Sequence, residues 1–372
     1  MIFSLFVYLS LMIGMMTLCY CGGYLKSNNP YSKYIWVILA SIIFGFVFGI
    51  RYNVGIDFPT YYHEYNGAKI GYFSEEFKRW EWGFRKLLEF FANNGFHYSV
   101  AFGFLAFLQC LLIFIGVRDF PKIWYLVSFT LILSCTWMSY VNIMRHGMSF
   151  SIFVASIPFL AKKQYWLYFL SVTPAVFFHN SSLVLYFFPL VHYFSKVYNK
   201  ISMQLIFLLI ALILMNINLF QSIFVTFSFF ISTLGYSNYL TSDYAEFNEA
   251  TNFGFGFLVL ILISFIIIIN SKNLKNYFIK SKIQYNIVCC FYDLYFLGLI
   301  IHYAFIRMFL VQRLNILLMN LEFIIGAFTI YILFKIKKLY SLYSLVLLYF
   351  IEFLGRMYTG DKNFLTYHTF LD

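Results

Sequence analysis

Long apolar runs, cut by short clusters of charged and polar residues, succeed one another over the whole chain. A helix needs about 20 apolar residues to cross a hydrocarbon core ~30 Å thick at ~1.5 Å per residue. The pattern predicts about twelve such helices, over 2–21, 34–50, 98–117, 123–141, 147–161, 165–178, 182–194, 201–220, 253–270, 283–305, 314–334 and 341–355. The fold class expected is therefore an all-α polytopic integral membrane protein, read as a single domain over 1–372. The first run lacks a basic leader and a small-residue cleavage site, so it is expected to be a retained span. Between the second and third runs the period changes. Phe73, Phe77, Trp80, Phe84, Leu87, Leu88 and Phe91 recur every three or four residues. This spacing predicts an amphipathic helix over about 74–91, N-capped by Ser74 and lying in the outer membrane interface, with Glu81 at the border of its apolar face.

Composition sharpens the class. The chain is 62% hydrophobic and 11% charged, against about 25% charged for soluble proteins. A soluble enzyme, a nucleic-acid-binding domain and a disordered chain are excluded. The net charge of +11 is explained by topology. Alternate loops hold 15 of the 26 basic residues, from Lys26 and Lys33 to Lys335, Lys337 and Lys338, with Asp119 as their one acid. Basic loops stay cytoplasmic, so both termini and the loops 51–97 and 221–252 are expected outside. The six cysteines lie in or beside apolar runs without metal spacing and read as small buried hydrophobes. His63-Glu64 beside Asp57 matches no metal motif, and no metal or cofactor is expected.

Two hairpins are too short to cross fully. Only 32 residues separate Lys163 from Lys196, where two crossings need about 40. The turn at 178–182 is thus expected to stop short of the outer surface, and the apex at 142–146 is nearly as constrained. Polar backbone at membrane depth requires a protein-lined or water-filled cavity, here open to the outside with Arg145, His146 and His179 near its floor. Arg51, Arg307 and Arg313 reach the same outer boundary from other hairpins. Guanidinium groups grip phosphate bidentately, so the four arginines suggest an anion site, with headgroup snorkelling as the competing account. His179 is a candidate general base. Asp57, between Gly55 and Pro59, is either a catalytic carboxylate or a turn former. Asp293 and Glu322 lie inside spans, where each could pair with a cation or mark a proton path. Gly45 and Gly49 form a GxxxG expected to pack the second span against a neighbour.

These residues also carry a resemblance. Arg51-Tyr-Asn-Val-Gly55-Ile-Asp57-Phe-Pro-Thr-Tyr61 resembles the R-x-x-x-G-x-D-[YF]-x-x-Y signature of EpsG-like, Wzy-type polysaccharide polymerases. Glu81-Trp82-Gly83, Arg145-His146 and Phe178-His179-Asn180-Ser181 follow in the family's order, with His146 where the family commonly has Gln. The resemblance implies a GT-C-like arrangement in the cytoplasmic (inner) membrane of a bacterium. It also implies transfer of a growing undecaprenyl-pyrophosphate-linked glycan onto the non-reducing end of a lipid-linked repeat unit, without metal, at the outer face. Under it, Arg51, Arg145, Arg307 and Arg313 would hold pyrophosphate, and His179 or Asp57 would act as base. Glu81, Tyr61, Tyr62, Trp80, Trp82 and His146 would hold sugars. Membrane lipid and a chain-length regulator protein would be partners, and nucleic acid would not. A lipid-linked-oligosaccharide flippase and a membrane acyltransferase are the rival classes.

Overall fold

The computed structural model describes residues 2–25, 29, 31–190, 200–215, 254–360 and 364–371. The expected outer loop over 221–252, together with Lys26 and Lys196, lies outside these described residues. Among the described residues every regular element is a helix, apart from an isolated bridge between Arg51 and Thr369. The elements are α1 (Ile2–Tyr24), α2 (Ser32–Gly49), α3 (Phe58–Lys69), α4 (Glu75–Arg79), α5 (Trp82–Asn93) and α6 (Tyr98–Gly116). They continue with α7 (Trp124–Leu133), α8 (Thr136–Asn142), α9 (Met144–Ala161), α10 (Tyr165–Phe178) and α11 (Ile201–Leu214). The last are α12 (Phe255–Ile269), α13 (Ser271–Tyr277), α14 (Lys282–Ala304), α15 (Phe309–Met319), α16 (Glu322–Lys335) and α17 (Leu339–Thr359).

Among the described residues, six helical stretches are long and apolar enough to cross a membrane, or eight if each of two bent pairs is one span. The six are α1, α2, α6, α14, Val311–Lys335 and α17. The chain is thus a polytopic membrane protein. The run expected as a span at 165–178 forms α10, 14 residues long, and the described part of the run at 201–220 holds α11. At ~1.5 Å per residue α10 reaches about 21 Å, short of a ~30 Å core.

The run expected as one helix over 123–141 instead bends by 72° between α7 and α8. Cys135 takes a left-handed conformation at the bend, with φ 55°. Flanking hydroxyls satisfy one another there, Ser134 Oγ lying 2.7 Å from Thr136 Oγ1. Elsewhere the GxxxG packs as expected. A side chain at Gly45 would come within 2.6 Å of the Gly103 carbonyl oxygen, so only glycine lets α2 lie this close to α6.

The expected amphipathic helix also breaks, into α4 and α5. Ser74 is the N-cap, its Oγ accepting from the Phe77 N–H at 3.0 Å. Trp80 and Glu81 then turn extended, with ψ of 150° and 142°. The apolar face covers protein. Phe77, Trp80, Phe84 and Leu88 pack with Tyr61 of α3 and Phe102 of α6 in one buried cluster. Period alone shows that a face is apolar, not what lies against it.

The two ends of the bundle differ in chemistry. At one, Lys162 pairs with Asp119 at 3.3 Å and Lys275 with Asp293 at 3.2 Å. At the other, the segment 364–371 folds back over the starts and ends of the first helices. Tyr52 N–H donates to His368 O at 2.9 Å, Phe370 N–H to Ile50 O at 3.1 Å and Ser4 Oγ to Leu365 O at 2.7 Å.

Candidate functional site

The sequence Arg51 to Asp57 forms a turn whose three characteristic residues all dock on one point of a distant helix. Arg51, only 1% exposed, donates from Nη2 to the Val141 carbonyl. The Asp57 N–H donates to Asn142 Oδ1 at 3.0 Å. Gly55 has φ +103°, and a Cβ there would stand 2.9 Å from the same Asn142 oxygen. The spacing R-x-x-x-G-x-D is therefore the footprint of a loop clamped onto the end of α8. Gly55→Ala should lower thermal stability in detergent by about 1–3 kcal/mol, the usual cost of a non-glycine residue in such a backbone region. An unshifted melting curve would mean the clamp is soft.

This clamp sits beside the break between α8 and α9, and Arg145 occupies the first turn of α9. A cation at a helix N-terminus is opposed by the helix dipole and requires a compensating acid. Glu81 supplies it. Arg145 Nη1 donates to Glu81 Oε2 at 2.7 Å, and His179 Nδ1 lies 2.9 Å from Glu81 Oε1. The Asn180 N–H also donates to Oε1, at 3.2 Å. The Glu81 side chain is 7% exposed, while those of Arg145 and His179 remain 26% and 23% exposed. A buried carboxylate thus fixes a guanidinium and an imidazole whose outer faces stay reachable. With Nδ1–H held by the carboxylate, His179 presents Nε2 as an acceptor.

Aromatic rings complete the setting. Trp80 lies under the Arg145 guanidinium at 5.5 Å, and the Tyr61 ring is 5.3 Å from Trp80. Burial raises the Tyr61 phenol above its ordinary pKa although Arg145 pulls it down, so it remains a neutral donor. The His146 ring stands 5.0 Å from that of His179. The break before Glu81 is what turns its carboxylate toward α10, and Gly83 lets the two helices meet. A Cβ at Gly83 would lie 2.8 Å from the Phe177 carbonyl oxygen. Gly83→Ala should therefore push α5 off α10 and cut activity by about 10²-fold, as ångström misplacements do. Normal activity with a normal protein level would show that α5 placement is unimportant.

Burial opposes the charge on Glu81, but the His179 hydrogen bond and the Arg145 and His179 charges outweigh it and hold its pKa at about 2. A depressed carboxylate stabilises the fold fully above the unfolded value of ~4.3 and progressively less as pH falls toward about 2. The contribution is on the order of 3 kcal/mol. Unfolding in detergent from pH 5 to pH 3 should show about half of this loss in the wild type, and Glu81→Gln should remove that part of the dependence.

Other expected site residues lie elsewhere. Tyr62 belongs to a ring cluster with Tyr52 and Tyr98, at 5.5 and 5.0 Å. Trp82 is 61% exposed and meets Phe177 at 5.8 Å. Arg307 lies in the turn after α14, and Arg313 is on α15. Glu64 accepts from Ser74 Oγ at 2.5 Å, which fastens α3 to the start of α4.

A separate polar cavity of about 170 Å³ opens at the α7–α8 bend and the break between α15 and α16. Glu322, Glu352, Arg356, His302, Gln312 and Asn320 line it, and Arg145, His146 and His179 do not. Arg356 Nη2 donates to Glu352 Oε1 at 3.1 Å and Tyr349 to Glu322 Oε1 at 2.7 Å. His302 Nδ1 is locked to Gln312 Oε1 at 2.7 Å. Glu352 and Arg356, four apart in an apolar run, were the available signal for this feature. Asn142 gave none, being an ordinary polar residue at a predicted turn.

A family model described as EpsG family matches residues 33–369. No curated protein and no solved structure matches the chain.

Proposed function

The chain belongs to the EpsG family, and from that premise we propose that it polymerises polysaccharide repeat units at the outer face of the cytoplasmic membrane. The family makes a membrane-embedded, polymerase-like transferase the coarse reading. The donor would be a growing glycan on undecaprenyl pyrophosphate and the acceptor the non-reducing end of a lipid-linked repeat unit. The observation that carries the reading is the Glu81-centred cluster, whose Arg145 and His179 side chains stay about a quarter exposed.

Its chemistry suits glycosyl transfer from a pyrophosphate. His179 Nε2 removes the proton from the acceptor hydroxyl as that oxygen attacks the anomeric carbon. The bond from that carbon to the pyrophosphate oxygen breaks, and its electron pair leaves with the phosphate. Arg145, at the positive end of α9, stabilises the charge that develops. Arg307 and Arg313 would extend the anion site, while Arg51, sealed against Val141, holds the loop that places Asp57. Tyr61 and Trp80 wall the cluster, and Trp82, Tyr62 and His146 are left as sugar contacts. The proposal carries with it twelve spans, a GT-C-like arrangement, metal-independent catalysis and a chain-length regulator as partner.

The test is purified protein in nanodiscs with a lipid-pyrophosphate-linked repeat unit, analysed by gel and mass. A ladder of added repeats with released lipid pyrophosphate supports polymerisation. Unchanged substrate that crosses a liposome bilayer would instead make the protein a flippase.

A further inference from the structure

The cavity between α7–α8 and α15–α16 has no part in the chemistry above, yet it is a concentrated polar feature in an apolar bundle. Two of its lining groups carry atoms with no hydrogen-bond partner among the described residues: Glu352 Oε2, an acceptor, and Asn320 Nδ2, a donor. Glu352 is 5% exposed. A buried orphan of either kind costs about 1–3 kcal/mol, so a ligand that satisfies both is favoured.

The pair of orphans selects the ligand class. A cation would answer Glu352 but would face the Asn320 N–H and the Arg356 guanidinium. Among the described residues no three metal-ligating side chains come together. An anion would answer Asn320 but would face the carboxylates of Glu322 and Glu352. A hydroxyl both donates and accepts and satisfies the two groups at once. At roughly 30 Å³ per water, a cavity of about 170 Å³ holds several waters or one small polyhydroxylated ring. Both helix breaks open onto it, as expected where irregular backbone lines a binding space at membrane depth.

We propose that this cavity is a subsite for a single neutral sugar ring, whose hydroxyls bond to Glu352 and Asn320. Arg356, at the cavity wall, holds Glu352, and Tyr349 holds Glu322. The subsite rests on the polymerase reading only for the ring's identity as part of the lipid-linked acceptor; the recognition chemistry stands without it.

The experiment uses the full chain in nanodiscs and saturation-transfer NMR with methyl glycosides of neutral hexoses and N-acetylhexosamines. Wild type should bind at least one glycoside. Asn320→Leu and Glu352→Gln should each weaken it about tenfold or more, the effect of losing one hydrogen bond to a charged or buried partner. Gel filtration checks both variants, and if one fails to fold the other decides. Binding that is equal in wild type and variants overturns the subsite. Absence of any glycoside signal means the cavity holds water only, and displacement by inorganic pyrophosphate means an anion site; either also overturns it. Polymer synthesis is scored in parallel. Synthesis with variant-insensitive glycoside binding sinks the subsite alone, whereas variant-sensitive binding without synthesis sinks the polymerase reading alone.

Discussion

Glu81→Gln is expected to reduce polymer synthesis by about 10²–10⁴-fold, the span over which general acid–base catalysis contributes. The substitution keeps the shape and removes the charge. It frees the imidazole of His179, held at 2.9 Å, from the partner that fixes its tautomer, and leaves Arg145 at a helix N-terminus without its acid. The neutral amide keeps a single acceptor oxygen, which serves Arg145 or the Asn180 N–H but not both. The readout is the repeat ladder at matched protein amount, with pH varied. A variant whose pH–rate profile is unchanged and whose rate stays within tenfold of wild type would remove Glu81 from the mechanism.

Arg145→Ala should be as severe for a different reason. Losing one preorganised donor to a developing anion costs about 3–4 kcal/mol, or 10²–10³ in rate. Here it also strands Glu81, which is 7% exposed, as a buried carboxylate with only His179 and a backbone N–H for company. Polymer should vanish while single-repeat, lipid-linked material accumulates. Because the two residues act through one contact, Glu81→Gln with Arg145→Ala should be far less than multiplicative. Fully additive losses would mean that the ion pair at 2.7 Å is irrelevant to turnover, and long-chain polymer in the single Arg145 variant would remove the leaving-group role.

What could be read from residues alone follows from which forces are local. Apolar run length fixed the membrane class because lipid enforces it on every segment separately. The short reach of 165–178 likewise showed in the distance between flanking lysines, and α10 is indeed 14 residues long. Helix breaks were less visible. The bend at Cys135 leaves hydropathy unchanged, and the interruption before Glu81 falls inside an unbroken three-to-four-residue period. Both depend on what packs against the segment. Arg145, His179 and Glu81 were each nameable as candidates, but their meeting was not, since Glu81 and His179 are 98 positions apart. Arg51 illustrates the converse. Its chemistry suggested an anion ligand, while its burial against Val141 gives it the work of an anchor.

The backfolded segment 364–371 has a consequence for the order of biosynthesis. Its backbone pairs with residues 50–52, so the clamp onto α8 gains its outer edge from residues made more than 300 positions later. At translation rates of about 5–20 residues per second, the early loop waits roughly 15–60 s for that edge. Nascent chains already threaded into the membrane therefore carry an unfinished loop over 51–57. The Glu81 cluster beside it draws only on residues up to Asn180, so it can form while the loop that flanks it still waits for its edge.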